Sequence, residues 1–450
     1  MGNKLFGTDG VRGVANQYPM TIKFAMNLAQ ACAVLVCKDK KKVAIAKDTR
    51  ISGDMLEAAL TAGFTAQGVD VLKLGVLPTP ALTTVTDSLG VDMAVMITAS
   101  HNPFHDNGIK LIDAKGNKFS DKVTAEVEDL IMKGEFSGNP DAIGRVLQND
   151  EALDCYLAVV KSICNGAEQP LKGLKMVVDC ANGAFSKIMP QLFMSLGAGV
   201  ISLAHEPDGY NINKDCGSQH VEKMLETVRG AHAHIGIACD GDGDRIIVCD
   251  ENGSKIPSEQ LIAFLARYMK ENGMLKGRPV VSTILSNTGL DSFVAGLGVD
   301  YYATKVGERY IIEKMQETGG AVGGEESGHI VLGDYSKTGD ALVVGLFLCL
   351  GLVKSGKKMS ALFPVFAFDP FVFENIRFSN NEAVREVVAD EQVKTVVEKA
   401  KKAIEGQGRV VFRPSGTEPL VRIWVGGKNE AQVQALSAEI INTVLSVKKQ

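Results

Sequence analysis

"VAIAKDTRISGDMLEAALTAGFTAQGVDVLKLG", residues Val43–Gly75, reads as a short apolar strand, a polar loop, an amphipathic helix, a glycine stop and a second apolar strand. That is the length and order of one strand–helix–strand unit. The pattern returns in "MVVDCANGAFSKIMPQLFMSLGAGVISLA" (Met176–Ala204) and in "VVSTILSNTGLDSFVAGLGVDYYATKVG" (Val280–Gly307). The strands are continuous apolar runs, as expected when helices cover both faces of a sheet. A polar loop follows the first strand each time, where open α/β sheets place their ligands. The repeat predicts three related α/β domains with mixed sheets: Met1–Asp150, Glu151–Asp250 and Glu251–Pro364. The remainder, Val365–Gln450, predicts a smaller α+β domain. It has a helical stretch over Asn381–Glu405 and strands over Arg409–Arg413 and Leu420–Val425.

The 450 residues are 45% hydrophobic and 22% charged, an ordinary balance for a globular enzyme. A net charge of −5 argues against a nucleic-acid surface. Nine cysteines without a C-x-x-C pair predict reduced thiols in the cytoplasm. The opening residues lack the apolar core of a signal peptide. The apolar run Ala341–Val353 is too short to span a membrane and predicts a buried helix.

Four clusters stand out. In "TASHNP", Ser100 follows the strand "VDMAVMIT". A serine hydrolase would flank its nucleophile with glycines, and a directly adjacent histidine is poorly placed to deprotonate it. Ser100 is a candidate phosphoryl carrier; a serine in a strand-to-loop corner is the plainer reading of that stretch alone. In "DGDGDR", Asp240, Asp242 and Asp244 alternate with glycines. Three carboxylates so close repel one another unless a cation neutralises them, and hard oxygen ligands select Mg²⁺ or Ca²⁺. An EF-hand is excluded, because Arg245 occupies the position that needs glycine and both flanks read as strands. Arg245 beside the metal suggests that a phosphate shares the site.

In "GGEESGH", Glu325, Ser327 and His329 alternate, and on an extended segment they would share one face suited to sugar hydroxyls. In "RPSGTEPLVR", Arg413, Ser415, Gly416, Thr417 and Arg422 frame a short loop between strands. Its backbone N–H groups and guanidinium forks suit a phosphate.

These segments in this order, with "FGTDGVRG" (Phe6–Gly13), make the chain resemble the α-D-phosphohexomutase superfamily along its whole length. The resemblance implies a heart-shaped protein of four domains. It implies that Ser100 is phosphorylated, and that Asp240, Asp242 and Asp244 bind one Mg²⁺ together with the Ser100 phosphate. It implies that Glu325, Ser327 and His329 contact the sugar, and that the loop Arg413–Thr417 holds the phosphate that does not react. The expected substrate is a sugar phosphate. Glucosamine phosphates come first, with glucose or mannose phosphates as the alternative, and a sugar 1,6-bisphosphate serves as intermediate and activator. Glu326 departs from the amide common at that position in enzymes of amino sugars. Arg12 and Arg245 would neutralise the transferring group. Lys110, with a lowered pKa and reaching back to Ser100, is the expected proton carrier, and His101 is the second candidate. A homodimer is the expected assembly.

Overall fold

The computed structural model describes residues 5–7, 9–134, 136–138, 140–415 and 418–448. Four sheets follow one another along the chain. The first holds β1 (Val11–Val14), β2 (Lys42–Lys47), β3 (Asp70–Val76), β4 (Met93–Ile97), β5 (Asp106–Asp113) and β6 (Val146–Gln148), in the order β1-β5-β4-β2-β3-β6. The second holds β7 (Lys175–Asp179), β8 (Gly199–Leu203), β9 (Ile235–Cys239), β10 (Ile246–Asp250) and β11 (Lys255–Ile256), in the order β11-β10-β9-β7-β8. The third holds β12 (Val280–Thr283), β13 (Tyr301–Thr304), β14 (Val322–Gly324) and β15 (Ile330–Leu332), in the order β13-β12-β14-β15.

The three repeats are parallel pairs: β2 with β3, β7 with β8, and β12 with β13. Each unit then leaves a parallel strand and returns antiparallel, from β4 to β5, from β9 to β10 and from β14 to β15. The Ser100 loop, the Asp240–Arg245 loop and the Glu325–His329 loop occupy these three equivalent turns. Repetition of one topology therefore delivers three different loops to one place.

The fourth sheet, β16 (Phe371–Arg377), β17 (Gly408–Pro414) and β18 (Leu420–Gly427), is antiparallel in the order β16-β18-β17. Strand β16 was not anticipated from sequence. The single helical stretch expected over Asn381–Glu405 is two helices, Asn381–Ala389 and Glu391–Ala403. Asp390 divides them: its carboxylate accepts from Gln392 N and Val393 N and caps the second helix.

One continuous apolar cluster runs from Ala44 to Phe366 and joins the first three units. The helix Ala341–Ser355 lies in it, buried along most of its length, as its composition predicts. The C-terminal unit has its own core, including Val393, Ile423 and Ile440. It meets the third unit through a small patch of Leu285, Val411 and Trp424, and Arg409 donates to Asp291 at 2.7 Å. Eight of the nine cysteines are buried and Cys155 is exposed; all are free thiols. Among the described residues no helix is long and apolar enough to cross a membrane.

Candidate active site

Ser100 is 1% exposed and sits in the left-handed region, at φ +52°. Its Oγ donates to Asp240 Oδ2 at 2.6 Å. Asp240, Asp242 and Asp244 are fully buried and can each turn one oxygen into a space less than 4.8 Å across. Two glycines make this loop possible. A Cβ on Gly241 would lie 2.8 Å from Ser100 O, and one on Gly243, at φ +79°, would strike the Phe185 ring.

Asp242 Oδ2 accepts from Lys110 Nζ at 2.8 Å and from Thr79 Oγ1 at 2.6 Å; Asp244 Oδ2 accepts from Lys110 Nζ at 3.0 Å. Among the described residues, Asp242 Oδ1 and Asp244 Oδ1 are buried without a hydrogen-bond partner. Buried, unpaired carboxylate oxygens are costly. Two of them on residues of an all-carboxylate cluster fit a hard divalent cation. Burial and then the charges of Asp244 and Asp242 push Asp240 well above the usual carboxylate range. Burial also pushes Asp244 up, but Lys110 pulls it below its ordinary value.

The expectation for Lys110 needs correction. Burial alone would lower its pKa, but Asp242, Asp244 and Asp9 hold it well above the ordinary lysine value. Its Nζ pairs with Asp242, Asp244 and Asp9 at 2.8, 3.0 and 3.2 Å. His101 Nδ1 lies 3.4 Å from Ser100 Oγ. Burial, then Arg245 and Arg12, push His101 down to about 4, so its ring is neutral at pH 7.

The expectation of an extended face for Glu325, Ser327 and His329 is also corrected. These residues form the turn of the β14–β15 hairpin, closed by Glu325 N to His329 O at 3.0 Å. Ser327 Oγ donates to Glu325 Oε1 at 2.7 Å, and Gly307 N donates to Glu325 Oε2 at 3.2 Å. His329 Nε2 accepts from Arg245 Nε at 3.0 Å, so the ring proton sits on Nδ1, which faces Asp244 O at 3.0 Å. The hairpin thus packs directly on the aspartate loop. Asp9, Arg12, Lys118, Arg245, Glu325 and His329 line a cleft of about 520 Å³ beside it.

Arg413 and Arg422 are paired directly across β17 and β18. Among the described residues, both Nε atoms are buried without a hydrogen-bond partner, and burial together with the neighbouring Arg422 lowers the Arg413 pKa. Like charges opposite each other destabilise a sheet unless an anion joins them. Ser415 N donates to Leu420 O at 2.9 Å and closes the base of the loop. Gly416 and Thr417 lie outside the described residues.

Sequence reading missed several neighbours. Asp9 links Arg12 at 2.5 Å, Lys110 at 3.2 Å and Lys118, and Lys118 continues to Glu308 at 2.6 Å. Asp48 and Arg50 hold the Ser100 loop from beneath. Their signal was present, since both sit in the polar loop after the first repeated strand. Lys118 and Glu308 are 190 residues apart and carried no such signal.

The comparisons with known proteins agree with this geometry. Models of phosphoglucomutase/phosphomannomutase alpha/beta/alpha domains I, II and III match residues 3–138, 154–253 and 257–367, and the C-terminal domain model matches 374–443. The chain belongs to the phosphoglucomutase/phosphomannomutase family. A phosphoglucosamine mutase from Paramagnetospirillum magneticum is 45% identical over 449 residues, spanning 99% of each chain. Among solved structures, a phosphoglucomutase/phosphomannomutase family protein from Burkholderia thailandensis superposes with a TM-score of 0.83 at 25% identity, covering 99% of this chain and 98% of that one. An Aspergillus fumigatus N-acetylphosphoglucosamine mutase in complex with GlcNAc-6P and magnesium shares the fold, with a TM-score of 0.66 at 15% identity, covering 99% and 96%.

Proposed function

We propose that this protein is an isomerase that interconverts glucosamine 6-phosphate and glucosamine 1-phosphate through a phosphorylated Ser100 and a 1,6-bisphosphate intermediate. The observation that carries it is the buried Ser100 hydroxyl held against the aspartate trio, 2.6 Å from Asp240. The full-length similarity to phosphoglucosamine mutases supports the choice of sugar. In this reading the chain divides near residues 150, 250 and 364, and the protein works in the cytoplasm.

Asp240, Asp242 and Asp244, with the Ser100 phosphate, would hold one Mg²⁺. Bound there, Mg²⁺ supplies Lewis-acid neutralisation of the transferring group. In transfer, the bond from phosphorus to Ser100 Oγ breaks as one forms to the free sugar hydroxyl oxygen. His101, kept neutral beside Ser100, takes the hydroxyl proton and returns it to Oγ. Lys110 stays protonated and acts as a fixed cation. Arg12 and Arg245 offset the charge of the phosphoryl oxygens, and phosphoryl transfer depends mostly on such alignment. Glu325, Ser327 and His329 face the sugar. Arg413, Ser415, Gly416, Thr417 and Arg422 grip the phosphate that is not transferred. The bisphosphate then turns end over end, and Ser100 takes the other phosphoryl.

The test compares kcat/KM for glucosamine, glucose and mannose monophosphates with Mg²⁺ and a trace of sugar 1,6-bisphosphate. A clear preference for the glucosamine phosphate is expected. A preference for glucose or mannose phosphate would overturn the choice of sugar, and phosphate release without isomerisation would overturn the mutase reading.

A further inference from the structure

Ser100 occupies the left-handed backbone region, which is unfavourable for a residue with a Cβ, so something must hold it. Both its backbone groups are held. Its N–H donates to Thr98 Oγ1 at 2.9 Å, and that hydroxyl donates to Asp48 Oδ2 at 2.6 Å. Its carbonyl accepts from Arg50 Nη2 at 2.9 Å and from Asn213 Nδ2 at 2.8 Å. The Asn102 carbonyl accepts from the same two donors, at 2.8 and 2.9 Å. Arg50, 2% exposed, also reaches Pro103 O and Asp106 O, while Asp48 Oδ2 takes its Nε at 2.9 Å. One buried guanidinium therefore gathers four carbonyls of the loop.

The two grips come from different parts of the chain. Arg50 follows β2 in the first sheet. Asn213 belongs to the second unit, where its N–H donates to Ala181 O at 2.9 Å and its side chain lies close to Gly241 of the aspartate loop.

We propose that Asn213, acting with Arg50, is a positioning residue for phosphoryl transfer: it fixes the Ser100 backbone to the unit that carries Asp240, Asp242 and Asp244. The proposal rests on the phosphoryl-transfer reading above. Without the Asn213 amide, the Ser100 backbone is held only from its own unit, and its alignment with the aspartate trio loosens.

Asn213 is itself left-handed, at φ +57°. Asn213→Gly therefore removes the amide while the backbone keeps its conformation without steric strain. The expected result is a kcat lower by about ten- to hundredfold with KM within about twofold. The thermal midpoint should be nearly unchanged, with faster amide hydrogen exchange over residues 100–106. Asn213→Asp, which cannot donate to the two carbonyls, should lose more. Wild-type kcat in Asn213→Gly, or a rise in KM with kcat kept, would overturn the proposal. The exchange measurement needs no substrate. If the wild-type protein isomerises no sugar phosphate while Asn213→Gly still loosens residues 100–106, the mutase reading fails and the clamp stands. Unchanged exchange sinks the clamp whatever the activity.

Discussion

Lys110 Nζ lies 2.8 Å from Asp242 Oδ2. The lysine that the sequence reading expects to reach Ser100 is thus the internal counter-ion of the aspartate trio. Removing one partner of a buried pair leaves an uncompensated charge, which costs about 3–5 kcal/mol. Lys110→Met in chelator should lose stability on that scale by urea unfolding. Mg²⁺ should restore more stability to the variant than it adds to the wild type, because the cation replaces the lost charge. Equal Mg²⁺ effects in both proteins would contradict this account.

Ser100→Ala should abolish turnover and retain the fold. The variant keeps all three aspartates, so Mg²⁺ should still raise its thermal midpoint. Intact-mass analysis after exposure to a sugar 1,6-bisphosphate should show phosphoryl uptake by the wild type and none by the variant. Near-normal turnover in Ser100→Ala would end the carrier role.

Arg422→Met separates binding from folding. A charge-assisted phosphate contact is worth about 1.5–3 kcal/mol, so KM should rise by about ten- to hundredfold. The variant also relieves a like-charge pair across β17 and β18, which should leave stability unchanged or raise it by about 0.2–1 kcal/mol. A loss of stability together with an unchanged KM would show that the pair is structural.

Asp340 gives a pH signature outside the site. It caps the helix Ala341–Ser355, accepting from Leu342 N and Val343 N, and the Tyr156 hydroxyl lies 3.0 Å from both its oxygens. Burial pushes its pKa up to about 7, against hydrogen bonds that favour the charged form. A carboxyl raised in the folded state contributes stability that is fully present below the unfolded value near 3.8 and lost as pH rises through 7. Asp340→Asn keeps the cap and cannot ionise. The stability difference should therefore shift in favour of the variant from pH 4 to pH 7 and then level off; a flat difference would mean that Asp340 is ionised throughout.

Much of the arrangement is legible in the sequence because it follows from local pattern. The three parallel pairs come from apolar runs and glycine stops. Ser100, the aspartate trio and the Arg413–Arg422 loop are short motifs whose residue types state their chemistry. The misreadings have local causes too. Residues 325–329 alternate like a strand, but the returning strand β15 bends them into a turn. Asp390 reads as an ordinary residue within a long helical stretch until its side chain caps a second helix.

Sequence alone determined the βαβ repeat, the residues of each loop and the crowding of three adjacent carboxylates, since these depend on neighbours in the chain. Only the tertiary structure decided who pairs with whom across it. Lys110 belongs to Asp242 and Asp244, Arg50 and Asn213 grip the Ser100 backbone, and Lys118 bridges Asp9 to Glu308. The reason is electrostatic. Inside the fold, a charge or polar group is set by whichever opposite partner lies within about 3 Å, and loops from separate sheets supply those partners.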